Sequence, residues 1–348
     1  MANSTAAETV LEPDLPIIDP HHHLWDWPAA MFADRPAVHG FEKTIRRAVR
    51  YLLPEFLADL NTGHNIRATV FVQCGAMYRA DAPEAFKPVG ETEFVNGVAA
   101  MCASGTYGAI RACAGIVGHV DLTAGAVVSD VLEAHLKASD RFRGIRHSAS
   151  YDADPNVLGP LARAGGGLYK DKSFREGFGQ LAKFNLSFDA WLVEPQLPDL
   201  IDLARAFPAT PVILDHVGTP LGVASFQGKR EERFPIWREN IRKLAALPNV
   251  SVKLGGLAMA FCNFPSFLQT PPASSEQLAA EWRPYIETCI ELFGTNRCMF
   301  ESNFPVDMGS CTYPTLWNAF KVLAKNYSPA EKNALFSGTA ARVYRLKI

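Results

Sequence analysis

The run Ile17-Ile18-Asp19-Pro20-His21-His22-His23-Leu24-Trp25-Asp26 puts three consecutive histidines behind an apolar segment. On a strand, side chains alternate between faces, so His21 and His23 share one face and His22 points away. Two imidazoles about 7 Å apart along one face can converge on a divalent ion. Capping of a strand end and adventitious metal binding are the plainer readings of so short a motif, so the rest of the chain must decide.

Seven further apolar or β-branched runs follow: Ile66–Cys74, Ile110–Val120, Phe142–Ser148, Leu186–Leu192, Pro211–Val217, Val250–Leu257 and Cys298–Pro305. With Ile17–Asp19 they make eight candidate strands. Helical patterns lie between them, at 91–103, 129–139, 197–207, 235–247 and 278–293. The stripe Leu53, Phe56, Leu57, Leu60 adds another behind Pro54. Ser173-x-x-Glu176 and Ser328-Pro329-Ala330-Glu331 read as capping boxes, and two helices, near 313–325 and 329–342, follow the last strand. Eight strand–helix repeats predict an α/β fold, a single-domain (β/α)8 TIM barrel spanning 14–348, with 1–13 a flexible segment. An open doubly wound sheet fits less well, because no glycine-rich phosphate fingerprint follows the first strand. Long loops at 24–50, 149–172, 218–234 and 258–277 lie on the face where barrel enzymes build their sites.

Strand alternation selects the polar groups that enter the barrel. In Val250-Ser251-Val252-Lys253-Leu254, the apolar residues take the helix-facing side, so Lys253 points inward, where it needs a partner or a shifted pKa. Gln73, ending strand two, and Asp189, on strand five, are expected to contact substrate, and His216 ends strand six. On strand four either Arg146 or His147 faces in. Glu301 and Asn303 share a face on strand eight. With Asp19, His21 and His23, polar groups converge on one barrel mouth. Aromatic loop residues (Trp25, Trp27, Phe32, Tyr78, Tyr151, Tyr169, Phe261, Phe264) suggest a partly apolar pocket and make Trp25 a substrate contact.

Composition narrows the partners. Among 348 residues, 34 basic and 36 acidic side chains nearly cancel, which disfavours nucleic acid or an anionic membrane as partner. No apolar run reaches membrane-spanning length, and MANSTAAETV lacks the features of a secretory signal. Seven scattered cysteines without CxxC spacing fit reduced thiols in a cytoplasm. The expected partner is a small-molecule substrate, and a homo-oligomer is compatible with the composition.

Asp19-Pro20-His21-His22-His23, Asp215-His216-Val217-Gly218 with Pro220, and Ser302-Asn303-Phe304-Pro305 resemble the amidohydrolase superfamily. The match is best with its amidohydrolase-related branch, which includes sugar-lactone and pyrone-dicarboxylate lactonases. The resemblance runs from Ile17 to the Gly338–Leu346 ending. It implies that His21, His23 and His216 either bind a divalent metal such as zinc or, with no cofactor, polarise the scissile carbonyl. It also implies that Arg146 holds a substrate carboxylate. Asn303 departs from the family pattern, standing where an aspartate serves as general base, and an amide cannot take a proton at neutral pH. Glu301 is the favoured substitute carboxylate and Asp307 the other. The expected activity is hydrolysis of a lactone or related cyclic ester, carboxylated or sugar-derived. A decarboxylase and a non-catalytic binding barrel are the alternatives.

Overall fold

The computed structural model describes residues 8–32, 36–162 and 165–347; the side chains of Ala29 and Phe32 lie outside that description. Eight parallel strands run in chain order: β1 Ile17–His22, β2 Ile66–Val72, β3 Arg111–Gly118, β4 Phe142–Arg146, β5 Ser187–Ala190, β6 Val212–Leu214, β7 Val250–Leu254 and β8 Cys298–Phe300. Every neighbour in the list is paired. The ring closes just beyond β8, where His22 bridges Phe304, Asn303 N–H donates to the His21 carbonyl (2.8 Å) and His23 N–H donates to Phe304 (2.8 Å). This is a (β/α)8 TIM barrel.

The sequence explains its two layers. Residues such as Phe71, Leu254 and Phe300 face outward into the main core under the helices. Ile18, Ala68, Val70, Val72, Val117, Ile213 and Met299 fill the barrel interior, as the packed lower layers of such barrels require. Tyr344, at the end of the last helix, plugs that interior from below.

Most of the expected strands stop early at their C-terminal ends, because those residues turn into the mouth instead of continuing the ladder. β6 ends at Leu214 and β8 at Phe300, so His216, Glu301 and Asn303 lie on corners just past their strands. The helix expected from 235 begins at Arg230 and tolerates Pro235 in its interior. The capping box at Ser328 and Glu331 forms. The one expected at Ser173 does not, since Asp171 caps Lys172–Phe178 by accepting from Phe174 N–H at 2.8 Å.

Within the 1–13 segment, the described residues make contacts with the barrel. Glu8 accepts from Ser275 N–H (2.8 Å), Leu11 N–H donates to Asn318, and the Lys321 ammonium donates to the carbonyls of Leu11 and Glu12. Residues 1–7 lie outside the described residues. No helix among the described residues is long and apolar enough to cross a membrane.

Candidate active site

A register shift between Asp19 and His22 resets the alternation of β1. Asp19 therefore faces the helices, not the mouth where it was expected. Its carboxylate accepts from Ser302 N–H (3.0 Å) and from the Tyr313 hydroxyl (3.1 Å), and burial raises its pKa to about 6. His22 also points outward, stacking on Phe56 with ring centroids 4.1 Å apart while its Nε2 meets Thr69 Oγ1 at 2.8 Å. His21 and His23 point inward. On β4 the inward residue is Arg146; His147 packs behind it against Phe174 and accepts from Leu122 N–H.

The corner after β6 carries positive φ at His216 (57°), Val217 (48°) and Thr219 (46°). Asn303 has φ 54°. Left-handed backbone is costly for side chains like these and concentrates at functional sites. The Gly255-Gly256 pair after β7 leaves the room this needs, because a Cβ on Gly256 would lie 2.4 Å from the His216 ring and one on Gly255 2.4 Å from Glu301 Cγ.

Glu301 joins two of the inward histidines from behind. Its Oε1 accepts from His216 Nδ1 (2.7 Å) and from the His216 backbone N–H (3.1 Å), and its Oε2 lies 2.8 Å from His21 Nδ1. Burial works to raise its pKa, but His216 and His21 outweigh it and hold the carboxyl at about 2. An ionised carboxylate only accepts, so the His216 proton sits on Nδ1 and its Nε2 lone pair is bare, whereas both His21 nitrogens also face cations, Lys253 Nζ at Nδ1 and Arg146 Nη1 at Nε2. His23 has the same tautomer, because its Nδ1 lies 2.7 Å from the Val72 carbonyl. Burial, reinforced by Lys253, lowers the His21 pKa to about 4, and burial puts His23 well below its usual range, so both rings are neutral at pH 7.

A charged layer lies beneath. Lys253 Nζ is fully buried, 2.7 Å from Asp189, 3.0 Å from Asp215 and 3.1 Å from His21 Nδ1. Burial would lower its pKa, but Asp189, Asp215 and Glu301 outweigh that and raise it. Tyr344 donates to the same Asp189 oxygen at 2.6 Å. Asp189, expected to contact substrate, is thus enclosed below the floor by Lys253 and Tyr344. Arg146 Nη1 lies 3.5 Å from Asp215 and 3.3 Å from His21 Nε2, while Nη2 donates to the Gln73 carbonyl.

Above the floor opens a cavity of about 400 Å³. His23, Gln73, Arg146, Ser148, His216 and Asn303 supply its polar lining. Trp25, Trp27, Phe41, Trp191, Met259 and Phe261 supply much of its wall. Of the aromatic residues singled out in the sequence, Trp25, Trp27 and Phe261 line it. Tyr78, Tyr151, Tyr169 and Phe264 do not, and Phe32 lies outside the described side chains. Glu301 does not reach the cavity, being wholly buried behind His216. Asp307 does not reach it either; it is fully buried and accepts from Asn303 Nδ2 at 2.7 Å.

Among the described residues, the group whose ligand atoms gather within 4.8 Å is His21, Asp215 and His216. Two of the expected trio, His21 and His216, belong to this group. The His23 ring lies edge-on to His21, at 83°, with its Nδ1 on the Val72 carbonyl, and Asp215 is the third member of the group. Asp215 was visible in the sequence only as the partner of His216 in the Asp-His pair. Two imidazoles and a carboxylate suit a divalent ion in type. They suit it less in charge, because both Asp215 oxygens already face cations (Lys253 and Arg146) and Arg146 faces His21 Nε2.

An eight-stranded barrel with buried histidines and carboxylates at the C-terminal mouth has its polar groups where (β/α)8 enzymes build their sites. The chain belongs to the amidohydrolase family, whose profile matches residues 18–346. It is 34% identical to the uncharacterized protein y4mH of Sinorhizobium fredii, covering 96% of this chain and 99% of the relative. It is 29% identical to L-fucono-1,5-lactonase of Burkholderia multivorans, covering 94% and 96%. An amidohydrolase from Burkholderia multivorans with bound zinc has a similar structure, with TM-score 0.70 and 27% identity over 95% of this chain and 99% of that one.

Proposed function

We propose that this protein hydrolyses a lactone, with His216 taking the proton from the attacking water. The observation that carries the reading is the Glu301 carboxylate held against the Nδ1 atoms of His216 and His21 at 2.7 and 2.8 Å. A carboxylate behind an imidazole fixes the tautomer and stabilises the imidazolium that forms, which makes the outward Nε2 an effective base. Asn303 therefore need not be the base, and Glu301 acts through His216 without touching water.

In the proposed reaction, His216 Nε2 accepts a proton as water oxygen bonds to the lactone carbonyl carbon. Arg146 and the Gln73 amide supply N–H donors beside the developing oxyanion. The tetrahedral adduct collapses by breaking the ring C–O bond, and the His216 proton passes to the departing alkoxide, giving a hydroxy acid. His23, neutral with a bare Nε2, accepts a hydrogen bond from substrate. Relatives named as lactonases support this reading over decarboxylation.

His21, Asp215 and His216 are the residues that would have to hold a divalent ion. The Lys253 ammonium and the Arg146 guanidinium already supply positive charge among them, so this arrangement does not fit a resident ion and no step is assigned to one. Seven unpaired cysteines accord with a reducing, cytoplasm-like compartment.

The test is release of hydroxy acid from a lactone panel by the purified protein. Wild type is expected to turn over, and His216→Asn to lose about 10²–10⁴-fold in kcat. Equal turnover by His216→Asn overturns the assignment.

A further inference from the structure

The cavity differs in character from its floor. One run of wall residues is a ladder of stacked or tilted rings: His23 to Trp25 at 6.0 Å and Trp25 to Trp27 at 6.3 Å. The other joins Phe41 to Phe261 at 5.4 Å and Phe261 to Trp191 at 6.2 Å. The Trp25 indole N–H is used internally, donating to the Ala48 carbonyl, so this residue offers the cavity a ring rather than a donor. Met31, Ile45, Leu161, Met259 and Val306 fill the spaces between.

The charged lining tells the same story. Arg146 is the one arginine or lysine on the cavity wall among the described residues; its Nη1 and Nη2 already face Asp215, His21 and the Gln73 carbonyl, and the Asp215 carboxylate offsets its charge. Glu42 is the acidic wall residue and pairs with Arg46 at 3.0 Å. A substrate carboxylate would enter a site whose cation is already balanced, and an unpaired buried charge is strongly disfavoured. A polyhydroxylated ring would set several hydroxyls beyond the polar floor, among apolar walls that offer them few partners.

Resting on the lactonase reading above, we infer that the substrate is an uncharged lactone carrying an aromatic or alkyl group, rather than a sugar lactone or a carboxylated pyrone. The ester group sits at the polar floor beside His216, and the apolar group occupies the space between the ring ladders.

The experiment compares kcat/KM for dihydrocoumarin, D-glucono-1,5-lactone and 2-pyrone-4,6-dicarboxylate. In parallel, α-tetralone (a neutral bicyclic ketone that cannot be hydrolysed) is titrated by quenching of tryptophan fluorescence. Dihydrocoumarin is expected to exceed both polar lactones by about 100-fold or more. A preference for either polar lactone overturns the inference while leaving the hydrolase reading intact. If no lactone is hydrolysed, the hydrolase reading fails, and the titration alone decides this one. Tetralone binding about tenfold or more tighter than gluconolactone supports it, and weaker or equal binding overturns it. Trp27→Ala, at a half-exposed wall position, is expected to raise the KM for dihydrocoumarin about tenfold with kcat changed less than about threefold. An unchanged KM counts against the inference.

Discussion

At the scale of single residues, the site depends on which nitrogen carries a proton. Carboxylate and carbonyl acceptors behind His216 and His23 hold both on the Nδ1–H tautomer. Alternation in the sequence identified most of the inward residues: His21, His23, Lys253 and Glu301 all face as read. It misplaced Asp19, because a register shift in β1 is invisible to a strict two-residue period. It could not tell that Glu301 would be used up by two histidines, since the partners come from β1 and the corner after β6, far apart in sequence. Lys253 gives a prediction at this scale. Lys253→Met leaves Asp189 and Asp215 buried without their common cation, which should cost about 3–5 kcal/mol of stability. It also frees the Asp215–His21–His216 group to take up a metal. Added zinc is expected to raise the Tm of Lys253→Met and leave that of wild type unchanged. An equal zinc-induced rise in both would show that Lys253 does not stand in the way of an ion.

At the scale of elements, apolar runs and cap signals located all eight strands and the longer helices, but not the short loop helices Gly40–Ile45 and Pro155–Leu158, and the strand ends were the least legible. Those ends are where local preference yields to the site. His216 and Asn303 adopt left-handed backbone, and Gly255-Gly256 clears space for the His216–Glu301 pair. The helix Val127–Ala138 shows how an element is locked to the barrel. Its His135 contacts Thr92 Oγ1 (2.8 Å) and the His119 carbonyl (3.0 Å) and stacks on Phe142 at 4.7 Å. Burial lowers the His135 pKa from 6.5 to about 4. The unfolded chain therefore binds the extra proton first. This histidine's contribution is full above pH 6.5 and is lost as pH falls towards 4, by about 3 kcal/mol at most. Thermal melts from pH 7 to pH 4 should show a shallower fall in Tm for His135→Gln than for wild type. Parallel slopes would remove His135 from the acid response.

At the scale of the whole molecule, the barrel sorts its chemistry by depth. Apolar side chains and Tyr344 close the bottom, and above them Lys253 bridges Asp189 and Asp215. Next come the histidines with Glu301 behind, and an aromatic chamber opens over the mouth. The sequence disclosed the barrel and the inward set, but not this order, because depth follows from how strands stagger around a closed sheet. The Asn303 substitution, a gap when viewed along the chain, fits within the order, with the base supplied by the histidine whose ring Glu301 supports. Steady-state kinetics of Glu301→Gln on a turned-over lactone test that claim most directly. The expected result is a fall in kcat of about 10²–10⁴-fold with KM changed less than about threefold, in a variant that still folds. A kcat within about twofold of wild type would contradict it.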